Sequence, residues 1–297
     1  MTSFTSLAQP FVAEIVASYW TLAGDRYPTG PSEVSPFPIQ RRVEVAATTG
    51  YTGIGLLAAD LAGVEEELGL DRLHQILEID GLRHIELEVV TDWYASGDRR
   101  QRSDVERASL LRAADVLGAQ HVKVCGEFRS DRGDVELMGE EFGKLCDEAA
   151  RVGTTMALEF IVGSSIPDLA TAREIIALAG RTNGKLCLDL WHVVRGDTAL
   201  SDIATLPAEE IAHIELCDGQ AELFDNLWTD TIHRRRLPGD GDFDVTGFLT
   251  AIRETGYRNT IGVEILSSEH RRLPLVEAAT SAHKSTLRAL ELGFHDL

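Results

Sequence analysis

A chain of 297 residues with 44% hydrophobic content is long enough to bury one large core, and parallel barrels routinely reach this length as one domain. Its 48 acids against 28 lysines and arginines give a formal charge of −20, which repels a phosphate backbone and argues against a nucleic-acid partner. No run of about 18 apolar residues marks a membrane span, and the first residues, Met1 to Ser6, lack the basic start and apolar stretch of a signal peptide, so the expectation is a cytoplasmic protein.

Strand-like and helix-like patterns alternate along nearly the whole chain. The first candidate strand is the apolar stretch from Ile15 to Trp20. A loop rich in Pro and Gly runs from Tyr27 to Pro38, and the helix expected over Ile39 to Thr49 stops at Gly50, a natural C-cap. Thr52 to Leu57 reads as the second strand, a helix over Leu70 to Asp80 closes at Gly81, and Leu82 to Val90 has the length and β-branching of the third strand. A long helix over Arg100 to Leu117 ends at Gly118 before the fourth strand, His121 to Cys125. After a helix over Val135 to Val152 come a strand at Thr155 to Phe160, a helix opening at Pro167, and a strand at Lys185 to Leu190. A short helical segment precedes the strand Ile211 to Cys217, and a loop of more than twenty residues leads to a helix over Val245 to Thr255. The last strand is Thr260 to Ile265, and a closing helix from Leu275 to Leu292 ends at Gly293.

Eight strand candidates alternating with helices describe an α/β fold, a single (β/α)8 TIM barrel spanning residues 1–297. An open doubly wound sheet is the structural alternative, but no Gly-x-Gly-x-x-Gly turn comes after an early strand. The four cysteines, Cys125, Cys146, Cys187 and Cys217, have no Cys-x-x-Cys spacing, and three fall in strand-like runs, so they read as reduced core residues. The long loop after the seventh strand is a functional candidate by its length.

Four apolar runs in the second half each end in a carboxylate: Glu159, Asp189, Glu215 and Glu264. Their gaps of 30, 26 and 49 residues leave room for one helical return each, so the four meet at the C-terminal mouth of a barrel. Such a cluster repels itself unless a cation sits in it, which points to a divalent metal held by oxygen. Taken singly, any of these acids is as easily a helix cap or a surface ion-pair partner.

The segment Cys-Leu-Asp189-Leu-Trp191-His192-Val-Val-Arg195 comes after Leu-Glu159-Phe, and Arg236-Leu-Pro-Gly239-Asp-Gly241-Asp precedes Gly-Val-Glu264. With these motifs the chain resembles the xylose isomerase-like superfamily of sugar phosphate isomerases and epimerases, over most of its length and most strongly from residue 155 onward. The resemblance implies a metal set of Glu159, Asp189, a position on the seventh strand, and Glu264. It places His192 beside the metal as a substrate contact or a supporting group. The seventh strand departs from the pattern, because His213-Ile-Glu215 carries a carboxylate where relatives carry the second histidine of a His-x-His pair. His213 shares a strand face with Glu215 but lies about 6 to 7 Å deeper along it, so Glu215 is the expected ligand. An all-oxygen site favours Mn²⁺ or Mg²⁺ over Zn²⁺.

The chemistry open to such a site is limited by its donors. A hydroxy-ketone or hydroxy-aldehyde chelating the metal is acidified beside its carbonyl, and Glu159 and Glu264 form the natural acid/base pair. The expected function is a sugar or keto-polyol isomerase or epimerase working through a metal-stabilised enediolate. The alternatives are a lyase or dehydratase on keto-sugars or keto-inositols, by β-elimination, and a sugar-binding barrel without catalysis, suggested by the change at residue 215. Substrate contacts are expected from His192, Arg236, Glu88, Lys123 and Trp191, with Trp20 and Trp228 as further pocket walls. Lys123, inside an apolar strand, needs a partner or a task, and Glu86 and Glu159 are candidate partners. Arg236 and its neighbours His233, Arg234 and Arg235 form a basic patch suited to phosphate or carboxylate, while Arg234 and Arg235 read more readily as solvated. Asp218 is either a support for the site or a turn residue. Association of like copies through helices and loops is a further implication of the resemblance.

Overall fold

A computed structural model describes residues 14–128 and 133–294. The N-terminal segment on which the signal-peptide expectation falls lies outside the described residues. Eight parallel strands pair in sequence order and close into a barrel: β1 (Ile15–Ala17), β2 (Gly53–Leu57), β3 (His84–Val90), β4 (His121–Cys125), β5 (Thr155–Glu159), β6 (Gly184–Asp189), β7 (Ile211–Leu216) and β8 (Ile261–Val263). The helices are α1 (Tyr19–Leu22), α2 (Ile39–Thr49), α3 (Ala58–Glu67), α4 (Leu70–Asp80), α5 (Gly97–Leu117), α6 (Val135–Ala150), α7 (Leu169–Ala179), α8 (Leu190–Arg195), α9 (Leu200–Ala204), α10 (Leu227–His233), α11 (Val245–Thr255) and α12 (Leu275–Phe294). No helix among the described residues is long and apolar enough to cross a membrane.

The departures from the sequence expectations have local causes. β1 stops at Ala17, because Ser18 turns its hydroxyl inward to Glu215 and the chain coils into α1. α7 opens at Leu169 rather than Pro167, since the Asp168 side chain accepts from the Thr171 amide and caps the helix. Strand β6 ends at Asp189, whose carboxylate caps α8 by accepting from the Trp191 amide. α3 fills the stretch between β2 and α4, and Gly69 at φ 81° separates the two helices. The closing helix runs through Gly293 instead of ending there; a Cβ at that position would lie 2.5 Å from Leu249 Cβ, so glycine serves close packing of α12 on α11.

Side chains alternate sharply across the strands. Leu87, Val122, Val124, Leu158, Leu188, Ile214 and Leu216 point outward and join one apolar core with the surrounding helices. The inward set is polar: Glu86, Lys123, Cys187, His213 and Glu215 make contacts that cross or span the barrel interior. Room for these groups comes partly from glycine, as a Cβ on Gly262 would come within 2.5 Å of His213 Nε2. The four cysteines are buried and unbridged.

Candidate active site at the barrel mouth

The strand ends surround a cavity of about 490 Å³ whose lining includes Trp20, Glu88, Lys123, Glu159, His192 and Glu264. Glu159 and Asp189 are the last residues of β5 and β6, and Glu264 comes directly after β8. This is the C-terminal face, where the strands present their chemistry. Glu215 sits beneath them on β7, fully buried, in register with Asp189.

Two buried cations organise these acids. Lys123 Nζ donates to Glu215 Oε1 and Oε2 at 2.9 and 3.1 Å, and stands 3.3 Å from both Glu264 Oε1 and Glu88 Oε2. Arg235 Nη1 bridges Asp189 Oδ2 at 2.6 Å and Glu264 Oε2 at 3.0 Å. Ser18 Oγ donates to Glu215 Oε1 at 2.8 Å, and the Tyr19 amide donates to Glu88 Oε1 at 2.9 Å. Glu88 therefore faces the cavity while its carboxylate is held from below.

The electrostatics show an excess of negative charge. Burial pushes the Lys123 ammonium down, but Glu215, Glu264 and Glu88 outweigh it and the net displacement is well upward, so the lysine is a permanent cation. Burial raises Glu159 to about 8, with Glu264 and Asp189 reinforcing the shift against Lys123. Burial and Glu264 weigh against the charged form of Glu215, and burial weighs against that of Glu88, while Lys123, which donates to both Glu215 oxygens, favours the charged form of each. Asp189 goes the other way: burial opposes ionisation, yet the Arg235 guanidinium, helped by the Trp191 amide, holds its carboxyl below the usual range. Burial lowers His192 to about 3, leaving a neutral imidazole.

Glu86, His121 and His213 form a second layer inside the barrel. His213 Nε2 lies 2.8 Å from Glu86 Oε2, and the imidazoles of His121 and His213 stack at 4.5 Å between centroids. Burial works against the charged Glu86, but Lys123 and His213 keep it well below the usual carboxylate range.

The chain's residues fit a divalent cation. Five buried carboxylates, Glu88, Glu159, Asp189, Glu215 and Glu264, face two buried cations, Lys123 and Arg235. Potential ligand atoms of Glu159, Asp189 and His192 lie within 4.8 Å of one another, as do those of Asp189, Glu215 and Glu264. Glu159 is raised chiefly by burial, with Glu264 and Asp189 adding to the shift, so a cation placed beside it would favour its charged form.

Several residues expected at the site sit elsewhere or were missed. Arg236 is turned away: its backbone pairs with Asp218 in both directions, its guanidinium donates to Asp240 O, and it lines a neighbouring groove of about 330 Å³. That extended pairing sends alternate side chains to opposite sides, so Arg235, expected to be solvated, is the arginine that enters the site. Trp191 is completely buried behind the mouth, with its indole donating to Thr231 Oγ1 at 2.9 Å, and does not line the cavity; Trp20 and Trp228 do. Asp218 is a turn residue that accepts from the amides of Gly219, Gly239 and Phe243. Lys123 has Glu88, Glu215 and Glu264 as its near partners, with Glu86 at 3.9 Å. Nothing local in the sequence marks Ser18 as a donor to Glu215; the contact joins residues 197 positions apart.

Two 3-dehydroshikimate dehydratases match: that of Pseudomonas aeruginosa is 28% identical over 258 residues, covering 84% of this chain and 39% of the dehydratase. The chain thus spans about two fifths of that relative's length. An inosose isomerase of Halalkalibacterium halodurans is 27% identical over 153 residues, 51% of this chain and 53% of the isomerase. Among solved structures, the IOLI protein with a bound zinc atom superposes with a TM-score of 0.81 at 18% identity, covering 96% of this chain and 100% of that one. An L-ribulose 3-epimerase superposes with a TM-score of 0.73 at 17% identity, covering 95% and 96%. The family model of the xylose isomerase-like TIM barrel matches residues 43–290, and the chain belongs to that family.

Proposed function

We propose that the chain is a divalent-cation-dependent isomerase or epimerase of a small sugar or keto-polyol, with Mn²⁺ or Mg²⁺ as the cation. The observation that carries this reading is the arrival of Glu159 and Glu264, from strands three apart around the barrel, in one cavity where Arg235 bridges Glu264 to Asp189. Glu159, Asp189 and Glu264 carry the carboxylate oxygens that would hold the cation. When bound, it polarises the substrate carbonyl and acidifies the adjacent C–H.

The chain's own groups supply the rest of the chemistry. One of Glu159 and Glu264 removes the proton beside the carbonyl, and the other returns a proton either to the neighbouring carbon, with the hydroxyl proton passing to the former carbonyl oxygen, or to the opposite face of the same carbon. The first outcome is a 1,2-isomerisation and the second an epimerisation. Arg235 Nη1, already between Asp189 and Glu264, is placed to meet oxygen on which negative charge develops. Trp20 and Trp228 offer apolar faces for the C–H surface of a sugar.

A second reading is favoured by the dehydratase relatives, whose match extends over 84% of this chain. The same enolate, with a hydroxyl on its β-carbon, expels that group as water once a carboxyl proton is delivered to it. The two readings share the proton abstraction and differ in the fate of the enolate.

The test is proton NMR in D2O with Mn²⁺-loaded protein and a panel of keto-hexoses, keto-pentoses and keto-inositols. Deuterium entering beside the carbonyl with a rearranged or inverted product is the expected result. Olefinic signals with loss of water select the dehydratase. Absence of exchange across the panel, with the protein folded and metal-loaded, counts against both.

A further inference from the structure

We infer that the imidazole of His192 joins Glu159, Asp189 and Glu264 around the cation, and that Glu215 is the fixed counter-ion of Lys123 rather than a ligand. This inference rests on the cation-dependent reading above and departs from the ligand set expected from the sequence, which assigns the place to Glu215. It begins with how fully Glu215 is already engaged. Lys123 Nζ donates to both of its oxygens, Ser18 Oγ donates to Oε1, and Cys187 Sγ lies 3.7 Å from Oε2. Moving that carboxylate onto a metal would strip a buried lysine of its main partner, a loss that desolvation makes expensive.

His192 is in the opposite condition. Its side chain is 2% exposed, and Nδ1 has no hydrogen-bond partner in the structure. Nε2 stands 3.9 Å from Glu159 Oε1 and 3.8 Å from Asp189 Oδ2. These gaps are too long for hydrogen bonds. They suit donors around a shared ion, because ligands bound at about 2.0 to 2.2 Å are separated by at most about 4.4 Å. The three donor atoms meet that limit because Asp189 caps α8, which places His192 three residues on, in the first turn, beside the end of β5. Asp189 Oδ2 also accepts from Arg235, and an oxygen with two lone pairs can serve both.

The chemical consequence is a mixed nitrogen and oxygen site. Such a site binds Mn²⁺ well and discriminates against Mg²⁺, which prefers oxygen and water. The Lys123–Glu215 pair then contributes no net charge to the site, and the imidazole that binds the ion comes from α8.

The test is pulsed electron paramagnetic resonance of Mn²⁺ bound to the intact protein, read for electron spin-echo modulation by ¹⁴N. The wild type is expected to show ¹⁴N coupling, and His192→Gln to lose it while Mn²⁺ affinity falls by about tenfold or more. The paired variant Lys123→Met with Glu215→Met removes the ion pair as a unit, and is expected to keep the coupling and to hold Mn²⁺ within about threefold of wild type. An uncoupled wild-type spectrum, coupling that survives in His192→Gln, or loss of Mn²⁺ by the paired variant overturns the inference while leaving the cation-dependent reading intact. A wild type that binds no Mn²⁺ overturns that reading itself.

Discussion

The two faces of the same eight strands obey different rules. Outward, Leu87, Val122, Leu158, Leu188 and Ile214 pack against the helices in one continuous apolar core. Inward, Glu86, Lys123, Glu159, Asp189, His213 and Glu215 form a buried polar column. Parallel strands covered on both sides ordinarily read as unbroken hydrophobic runs. Here the alternation separates stability from chemistry within single strands: β5 places Leu158 in the core and Glu159 at the mouth. Substitutions one residue apart should therefore fail in different ways.

The largest expected effect is on the inner face. Glu264→Gln keeps size and shape but removes a proton acceptor, and should lower the rate of proton exchange beside the carbonyl by roughly 10²- to 10⁴-fold with little change in thermal stability. Wild-type exchange in this variant would remove Glu264 from the chemistry.

Lys123→Met should cost about 3–5 kcal/mol of stability, because Glu215 and Glu88 lose a buried counter-ion. Denaturant unfolding measures this, and adding Glu215→Met should recover much of the loss. A single variant as stable as the wild type would mean that the inner column does not depend on that pair.

On the outer face, Leu158→Ala should destabilise by about 2–5 kcal/mol through a cavity, yet leave Mn²⁺ affinity unchanged. A large fall in affinity would show that the two faces are mechanically coupled.

The smallest effect is the most diagnostic of charge. Glu159 is raised to about 8 from the ordinary carboxylate value of 4.5, so it binds its proton more tightly in the folded state. Its contribution to stability is fully present below about 4.5 and is lost as pH rises through about 8. Chelator-treated wild type should lose stability relative to Glu159→Gln across that interval, and Mn²⁺ should flatten the difference. Parallel pH profiles in the chelated proteins would contradict the placement of a desolvated carboxylate there.

The barrel is legible in the sequence because local signals agree with the tertiary outcome. Glycines after α2, α4, α5, α7 and α11 adopt the left-handed conformation at the helix ends, and a strand candidate precedes each return helix. Glu159, Asp189 and Glu264 are legible for the same reason, since a strand end fixes the position of its last residue. Arg235 is not. Its orientation depends on an antiparallel bridge between Asp218 and Arg236, formed by two segments of a loop that carries no periodic pattern. Trp191 misleads because proximity to Asp189 in sequence says nothing of which side of α8 a residue occupies; its indole is buried with Thr231 and Phe243, while His192, the next residue, reaches the cavity. The partner of Lys123 is equally hidden, because β4 and β7 lie across the barrel from each other and the pairing exists only after closure.

The inner face of the mouth is, on this account, built around a divalent cation. Metal analysis of protein reconstituted with Mn²⁺ and freed of excess ion tests that claim most directly, together with the melting temperature before and after loading. The expected result is about one tightly held ion per chain and a melting temperature raised by binding, with both lost in a Glu159→Gln, Asp189→Asn double variant. A folded wild type that retains no ion and melts at the same temperature with and without Mn²⁺ would contradict it.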